Sequence, residues 1–409
     1  MKKLITFFCC LFLTLNLFSQ GYWTQKADFG GTQKYWAVGF SINGKGYAGL
    51  GRGDGFSNSS DLWEYNPVTN AWTQKTSFPG GARYSSHVFV INNKAYFVSG
   101  AYWSGISGDY TPYNDVWEYN PATDTWLQKN NFPGPGRHDA FAFSFAGKGY
   151  ICFGQDDNQV RLNDLWEYNP STDNWTQKAN FPGTARSGGI QFGFQRFGYI
   201  GLGRDDNDVS LGDIWRYDCS QNTWAQMDSF PAASRTSAST FVTDYRAYVV
   251  CGYNFQTSSY PHELWEYDPN TDSWVQREDF PPGDRACGTA FTINNIGYFG
   301  LGNVYSSFNK DFWEYTPSVG ANINQFEQNE ILIDVFPNPL QNELNIDVKG
   351  HKLTSDILLT DINGKLVKIF PAASLKDKKL FIGQLPAGQY ILSFDLNSGR
   401  VSKEIIISK

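Results

Sequence analysis

The sequence predicts an all-β protein: residues 20–316 close into a ring of six four-stranded blades, a six-bladed β-propeller, and residues 331–409 add a small C-terminal β-sandwich. Three observations carry this. Trp-x-Tyr recurs at Trp63, Trp117, Trp166, Trp215, Trp265 and Trp313, at intervals of 54, 49, 49, 50 and 48 residues. Each interval holds four short, alternating, aromatic-rich segments, the period and content of one blade. The sixth unit stops after Phe312-Trp-Glu-Tyr-Thr316 without its last segment, and a segment of the missing kind, Tyr22-Trp-Thr-Gln-Lys26, stands near the other end of the chain. The N-terminal strand is therefore expected to complete the sixth blade and cover an otherwise open sheet edge.

Residues 164–186 show how a unit is built. Leu165–Tyr168 alternates as a half-buried strand does. Asn169-Pro170 and the Ser, Thr, Asp and Asn that follow reverse the chain through a fixed φ and side-chain-to-backbone hydrogen bonds. Trp175-Thr-Gln-Lys178 is the returning strand, and Phe181-Pro182-Gly183 ends it. The returning Trp recurs at Trp72, Trp126, Trp224 and Trp274. Upstream lies a strand running from Tyr to Gly, as in Tyr47–Gly51 and Tyr150–Gly154, and before it a first strand expected to begin at a cation, as in Arg83-Tyr-Ser-Ser-His-Val-Phe-Val90. The Asp before each Trp-x-Tyr (Glu in unit five) reads as a structural turn residue.

These residues resemble the kelch-repeat propellers over about residues 22–316, through the Gly pair, the Tyr and the Trp of each unit. Unit one departs with Lys34 for Arg and Gly30 for Pro, and unit four has Cys219 where others have Pro.

The net charge of −7, with 18% charged residues, argues against a nucleic-acid partner, which needs a concentrated basic face. The 17% aromatic content is mostly core, because twelve of the fourteen Trp occupy the two repeat positions. Met1-Lys2-Lys3 followed by Leu4–Phe18 has the form of a secretory signal peptide, assigned to residues 1–19. Its apolar run falls short of the ~20 residues a spanning helix needs, so no transmembrane segment is expected after its removal. Cys152, Cys219, Cys251 and Cys287 sit at non-equivalent positions and imply no disulfide framework, although Cys251 and Cys287 are candidate neighbours.

Residues 317–330 lose the periodicity and read as a linker. Seven strands follow, at 331–336, 343–348, 356–360, 366–370, 379–382, 390–395 and 401–408. This module resembles the C-terminal sorting domain of the type IX secretion pathway of Bacteroidetes, through Pro337-Asn338-Pro339, the turn carrying Gly364 and Lys365, and Leu385-Pro-Ala-Gly388-Gln-Tyr390. The resemblance implies the secretion machinery as a partner, with release or outer-membrane surface attachment.

Candidate binding residues gather on one side of the ring. The connection into strand one and the loop between strands two and three leave an antiparallel blade on the same side. Lys34, Arg83, Arg137, Arg186, Arg235 and Arg285 stand at the first of these, and the variable loops form the second. Trp36 and Trp103, the two Trp outside the repeat positions, map to this rim, with Tyr102, Tyr110 and Tyr113 from the longest loop and Tyr253, Tyr260 and Tyr305 from others. The functional reading is a basic channel mouth that takes a glycan, peptide or surface protein. The competing reading is that the cations pair with acids or cap carbonyls between blades. Arg52-Gly53-Asp54 spells an adhesion tripeptide of the kind chance supplies. No cofactor is expected. Ca²⁺ is left open at Asp156-Asp157 and Asp205-Asp206-Asn207-Asp208, and Cu²⁺ because galactose oxidase, a relative by fold, carries it. No catalytic residues are assigned, since no triad, phosphate loop or zinc spacing appears. The expected function is non-catalytic binding by an exported monomer. The alternatives are a carbohydrate-active enzyme, resembling the six-bladed kelch sialic acid mutarotases or a copper oxidase, and a structural surface protein.

Overall fold

The computed structural model describes residues 21–105, 110–194, 196–243, 246–317 and, in the C-terminal segment, 334–336, 343–348, 352–353, 356–361, 366–375, 378–383, 385–396 and 399–407. The signal-peptide stretch, most of the linker, and Pro337, Asn338, Pro339, Gly364 and Lys365 lie outside them. The chain divides into two compact units, Met1–Val319 and Gly320–Lys409.

Among the described residues the first unit contains six four-stranded antiparallel sheets. In blade 1 the strands Val38–Ile42, Lys45–Gly49, Leu62–Asn66 and Ala71–Lys75 are hydrogen-bonded in that order. Blades 2 to 5 repeat the order, with first strands His87–Ile91, Phe141–Phe145, Ile190–Phe194 and Ser239–Val242. Blade 6 starts at Thr289–Ile293 and is completed by Tyr22–Lys26. Each first strand packs against the first strands of the blades on either side, and Thr289–Ile293 returns to Val38–Ile42, so the ring is closed. The architecture is a β-propeller.

The sequence explains this radial order. Second strands such as Lys45-Gly-Tyr-Ala-Gly49 are buried at every position after the first, so they form the middle of each blade. Fourth strands such as Thr125-Trp-Leu-Gln-Lys129 bury little and form the outer edge. Their Trp tucks inward: Trp126 meets Phe78, Phe97 and Tyr119 with ring centroids 4.7 to 5.1 Å apart. Two of these contacts are edge-to-face, a geometry aromatic pairs favour, and they anchor the outer strand to its own blade. Each second strand ends on a residue with left-handed backbone (Leu50, Ser99, Phe153, Leu202, Cys251 and Leu301) followed by Gly. At Gly51 a Cβ would lie 2.7 Å from the Tyr35 carbonyl, so the position admits only Gly.

The N-terminal strand pairs Trp23 with Tyr315 and Gln25 with Trp313. The Trp23 ring packs 5.2 Å from Phe280 and 5.0 Å from Tyr315, and its Nε1 donates to the Glu278 carbonyl at 3.0 Å.

The second unit is a sandwich over one core. Asp334–Phe336, Glu343–Asp347 and Lys379–Phe381 form one sheet. Leu366–Phe370, Ile357–Asp361, Gly388–Leu396 and Gly399–Ile407, in that spatial order, form the other. Leu344, Ile346, Leu359, Leu380, Leu392 and Ile405 are fully buried between them. Tyr390 donates its hydroxyl to the Pro386 carbonyl at 3.0 Å, closing the turn that carries Gly388. No described helix is long and apolar enough to cross a membrane.

Trp23→Ala should cost about 3 kcal/mol in chemical denaturation, the low end for a large aromatic, because Trp23 is only partly buried. Deleting residues 22–26 should cost more and promote association through the uncovered edge. An unchanged melting temperature with a monomeric elution profile would refute closure by this strand.

Candidate functional site

The six cations do not form a basic mouth. Lys34, Arg137, Arg186 and Arg235 are 0% exposed, Arg83 1% and Arg285 3%. They also precede strand one rather than begin it; the strand of blade 2 starts at His87, four residues after Arg83. Each points into its own blade. Arg186 shows the pattern: Nη1 and Nη2 bind Asp213 at 2.7 and 2.8 Å, Nη1 also reaches the Leu202 carbonyl at 3.2 Å, and the guanidinium lies 4.9 Å over Phe181. Leu202 is the left-handed residue that ends strand two, so the cation satisfies a carbonyl that the ladder has left. Asp115, Asp164 and Asp311 hold Arg83, Arg137 and Arg285 in the same way, and Asp61 holds Lys34. The acid before each Trp-x-Tyr is therefore a counter-ion, not merely a turn residue. It also accepts the indole N–H two residues on, as in Trp215 to Asp213 at 2.7 Å. Burial would raise the Asp213 carboxyl, but Arg186 and the Trp215 N–H hold it below the usual carboxylate range.

Blade 5 has Glu263 in place of Asp. Its carboxylate comes within 2.8 Å of Arg235 Nη2, yet neither atom completes a well-directed hydrogen bond, and the buried Trp265 N–H has no acceptor. The distance alone suggests a sound pair, but the angles matter more for a hydrogen bond. One extra methylene moves the carboxylate off the position that serves both donors.

The channel is lined instead by the residue two places after each cation: Trp36, Ser85, Asp139, Gly188, Ser237 and Cys287. All six have left-handed φ, between 49° and 65°. Their backbones form a belt in which five of the six N–H groups donate to the carbonyl of the neighbouring blade: Trp36 to Cys287, Ser85 to Trp36, Gly188 to Asp139, Ser237 to Gly188 and Cys287 to Ser237, over 2.5 to 3.0 Å. Between Ser85 and Asp139 the side chains make the link, Ser85 Oγ donating to Asp139 Oδ1 at 2.5 Å. Gly188 is required at its place, since a Cβ would lie 2.5 Å from Thr236 Oγ1.

This belt is the waist between two cavities. Below it, a channel of about 170 Å³ runs between first strands, with Ser86, His87, Gln191, Thr240 and Thr289 on its wall. Above it, on the side of the variable loops, a funnel of about 320 Å³ is walled by Tyr35, Trp36, Tyr253, Phe255 and Tyr260, with Asp139, Arg204 and Asn303 as polar groups. Tyr35 and Tyr84 flank Trp36 at 4.7 and 5.2 Å, and Tyr260 packs on Tyr253 at 4.8 Å. His138 stands beside the waist, its Nδ1 2.7 Å from the Tyr110 hydroxyl and its Nε2 4.0 Å from Asp139 Oδ2. Burial lowers the pKa of His138, and it pushes that of His87 down to about 4; His87 Nε2 accepts the Ala140 N–H at 2.8 Å. Both imidazoles are therefore neutral at pH 7. Burial also raises Asp139, but His138, the Ser85 hydroxyl, Arg204 and His87 outweigh it and keep the carboxyl below its ordinary value.

Of the sequence candidates, Trp36, Tyr253 and Tyr260 line these cavities. Trp103 lies 4.3 Å from the guanidinium of Arg52, which also faces Phe56 and Tyr84. Arg52 is 2% exposed, so the Arg-Gly-Asp tripeptide is not displayed. Tyr102 pairs with Thr111 in a loop hairpin, Tyr110 binds His138, and Tyr113 covers Arg83 at 3.8 Å. The acids considered for Ca²⁺ have other partners. Asp156 and Asp205 accept backbone N–H groups of their own loops, while Asp206 and Asp208 bind Arg161. Among the described residues no three His, Cys, Asp or Glu side chains gather as a metal site. Cys251 and Cys287 are free thiols. The sequence held one signal for the waist: within a motif that otherwise repeats, this position carries Trp, Ser, Asp, Gly, Ser and Cys.

Residues 334–408 match the secretion system C-terminal sorting domain. That match identifies a type IX sorting tail and marks the chain as exported. No curated protein matches the chain. Among solved structures it is similar to one described as the structure of YjhT, with a TM-score of 0.62 and 16% identity over 70% of this chain and 95% of that one. That likeness supports the propeller fold.

Arg186→Ala should cost about 3–5 kcal/mol, because Asp213 is left without its counter-ion. Glu263→Asp should gain about 0.5–1.5 kcal/mol by giving the Trp265 N–H an acceptor. Urea unfolding of both variants checks the pair; a neutral Arg186→Ala would show that the buried cations do not support the blades.

Proposed function

We propose that the chain is an exported kelch-type propeller that binds saccharide without transforming it, at the funnel above the waist. The observation that carries this reading is the funnel itself. Its volume suits a small ligand, its walls are aromatic, and a few polar groups converge on it. The C–H faces of a sugar ring stack on Trp36 and Tyr260, while hydroxyls bind Asp139, Arg204 and Asn303. The neighbouring Asp139 and His138 side chains supply the one argument for a carbohydrate-active enzyme, as an acid–base pair beside the cavity. The sorting tail delivers the propeller to the outer-membrane surface or beyond it.

A saccharide panel titrated into the mature chain, read by Trp fluorescence, tests the binding site. Tyr260→Ala should weaken the best ligand by about 1 kcal/mol, roughly fivefold, without lowering the melting temperature. Ligands recovered unchanged support binding, whereas conversion or accelerated anomer exchange would support the enzyme. Failure of every sugar to bind would overturn the saccharide reading.

Export has its own test. Removing residues 331–409 should leave a folded propeller in the periplasm, and the same residues fused to a reporter should carry it to the surface in a host with the pathway. Surface delivery of the truncated chain would contradict the tail's role.

A further inference from the structure

Asp139 is an acid at the floor of the funnel with no Arg or Lys in direct ion-pair contact among the described residues. It is 8% exposed and lines both cavities. Oδ1 is taken by the Ser85 hydroxyl at 2.5 Å. The one nitrogen of a basic side chain within 4 Å of its carboxylate, among the described residues, is His138 Nε2 at 4.0 Å. Burial disfavours protonation of both nearby imidazoles, and His87 Nε2 already accepts the Ala140 N–H. Arg204 shares the funnel, but its guanidinium binds Asp208 at 3.0 Å and lies 4.7 Å over Phe255. Asp206 and Asp208 together balance Arg161 and Arg204. The field of Arg204 favours the Asp139 carboxylate, but no Arg or Lys nitrogen lies within 4 Å of it among the described residues.

We propose that the funnel selects a saccharide bearing a protonated amine, with Asp139 as its counter-ion; this rests on the saccharide reading above. The Asp139 carboxylate is ionised but lacks a direct ion pair, and a ligand ammonium supplies one as it enters. The aromatic rings of Trp36, Tyr253 and Tyr260 line the same cavity and favour a cation there. A neutral sugar gains the stacking but not the charge, and a sugar acid meets repulsion. Asp139 also has a backbone φ of 51°, which Asn tolerates as well as Asp, so Asp139→Asn removes the charge with little backbone strain.

The test titrates the mature chain and Asp139→Asn with glucosamine, glucose, N-acetylglucosamine and glucuronate, by calorimetry at low and at physiological salt. Glucosamine is expected to bind wild type at least about tenfold tighter than glucose or N-acetylglucosamine, a difference of ~1.4 kcal/mol, and to weaken as salt rises. In Asp139→Asn that preference should vanish, with glucosamine and glucose binding within about threefold of one another. Equal wild-type binding of amine and neutral sugars overturns the inference and leaves the saccharide reading standing. A preference that survives in a folded Asp139→Asn overturns the role of Asp139. Binding of none of the four, or of glucuronate alone, overturns the amine inference, and the wider sugar panel then judges the saccharide reading independently.

Discussion

A buried cation held by one acid organises each blade. An arginine taken fully out of water must have its charge met and its donors used, or the blade cannot afford it. Arg186 meets both conditions through Asp213 and the Leu202 carbonyl, with Phe181 beneath its plane. This one contact joins the segment before strand one, the end of strand two and the start of strand three. It also explains Trp-x-Tyr, since the Trp N–H uses the same carboxylate, as Trp215 does with Asp213. Blade 5 shows how narrow the geometry is: a single methylene in Glu263 leaves the Trp265 N–H without an acceptor.

With these pairs fixing the blades, the ring presents six equivalent backbone positions around its axis. The belt from Trp36 to Cys287 depends on left-handed backbone at all six, and five of its six links are made by main-chain groups. The side chains are consequently free to differ, and they do. Blades 1 and 2 bring Tyr35, Trp36 and Tyr84 to the mouth, blade 3 brings His138 and Asp139, and blades 4 to 6 bring Gly188, Ser237 and Cys287. A repetitive scaffold thereby holds a site with no repetition in it. Scaffold and site are separable because different atoms of the same residues serve each.

The C-terminal unit works under a different constraint. Its small core must be built from seven short strands, and Leu344, Leu359, Leu380, Leu392 and Ile405 fill it from both sheets. Recognition by a secretion machinery calls for a module that folds by itself, and the core and closed turn at Pro386–Tyr390 suit that demand.

The sequence by itself determined the strands, their grouping into six sheets, the closure by residues 22–26 and the seven strands of the sorting module. Those follow from local alternation and turn chemistry, and from a period that counts residues along the chain. Which side chains reach the channel was decided only by the tertiary structure. A row of cations at regular spacing reads as a basic rim until the acids 26 to 32 residues later are brought against it by strand pairing. Likewise nothing local distinguishes Asp139 from other loop acids. Its burial beside Ser85, 54 residues away, arises where two blades meet, and contacts between blades depend on the ring rather than on the repeat.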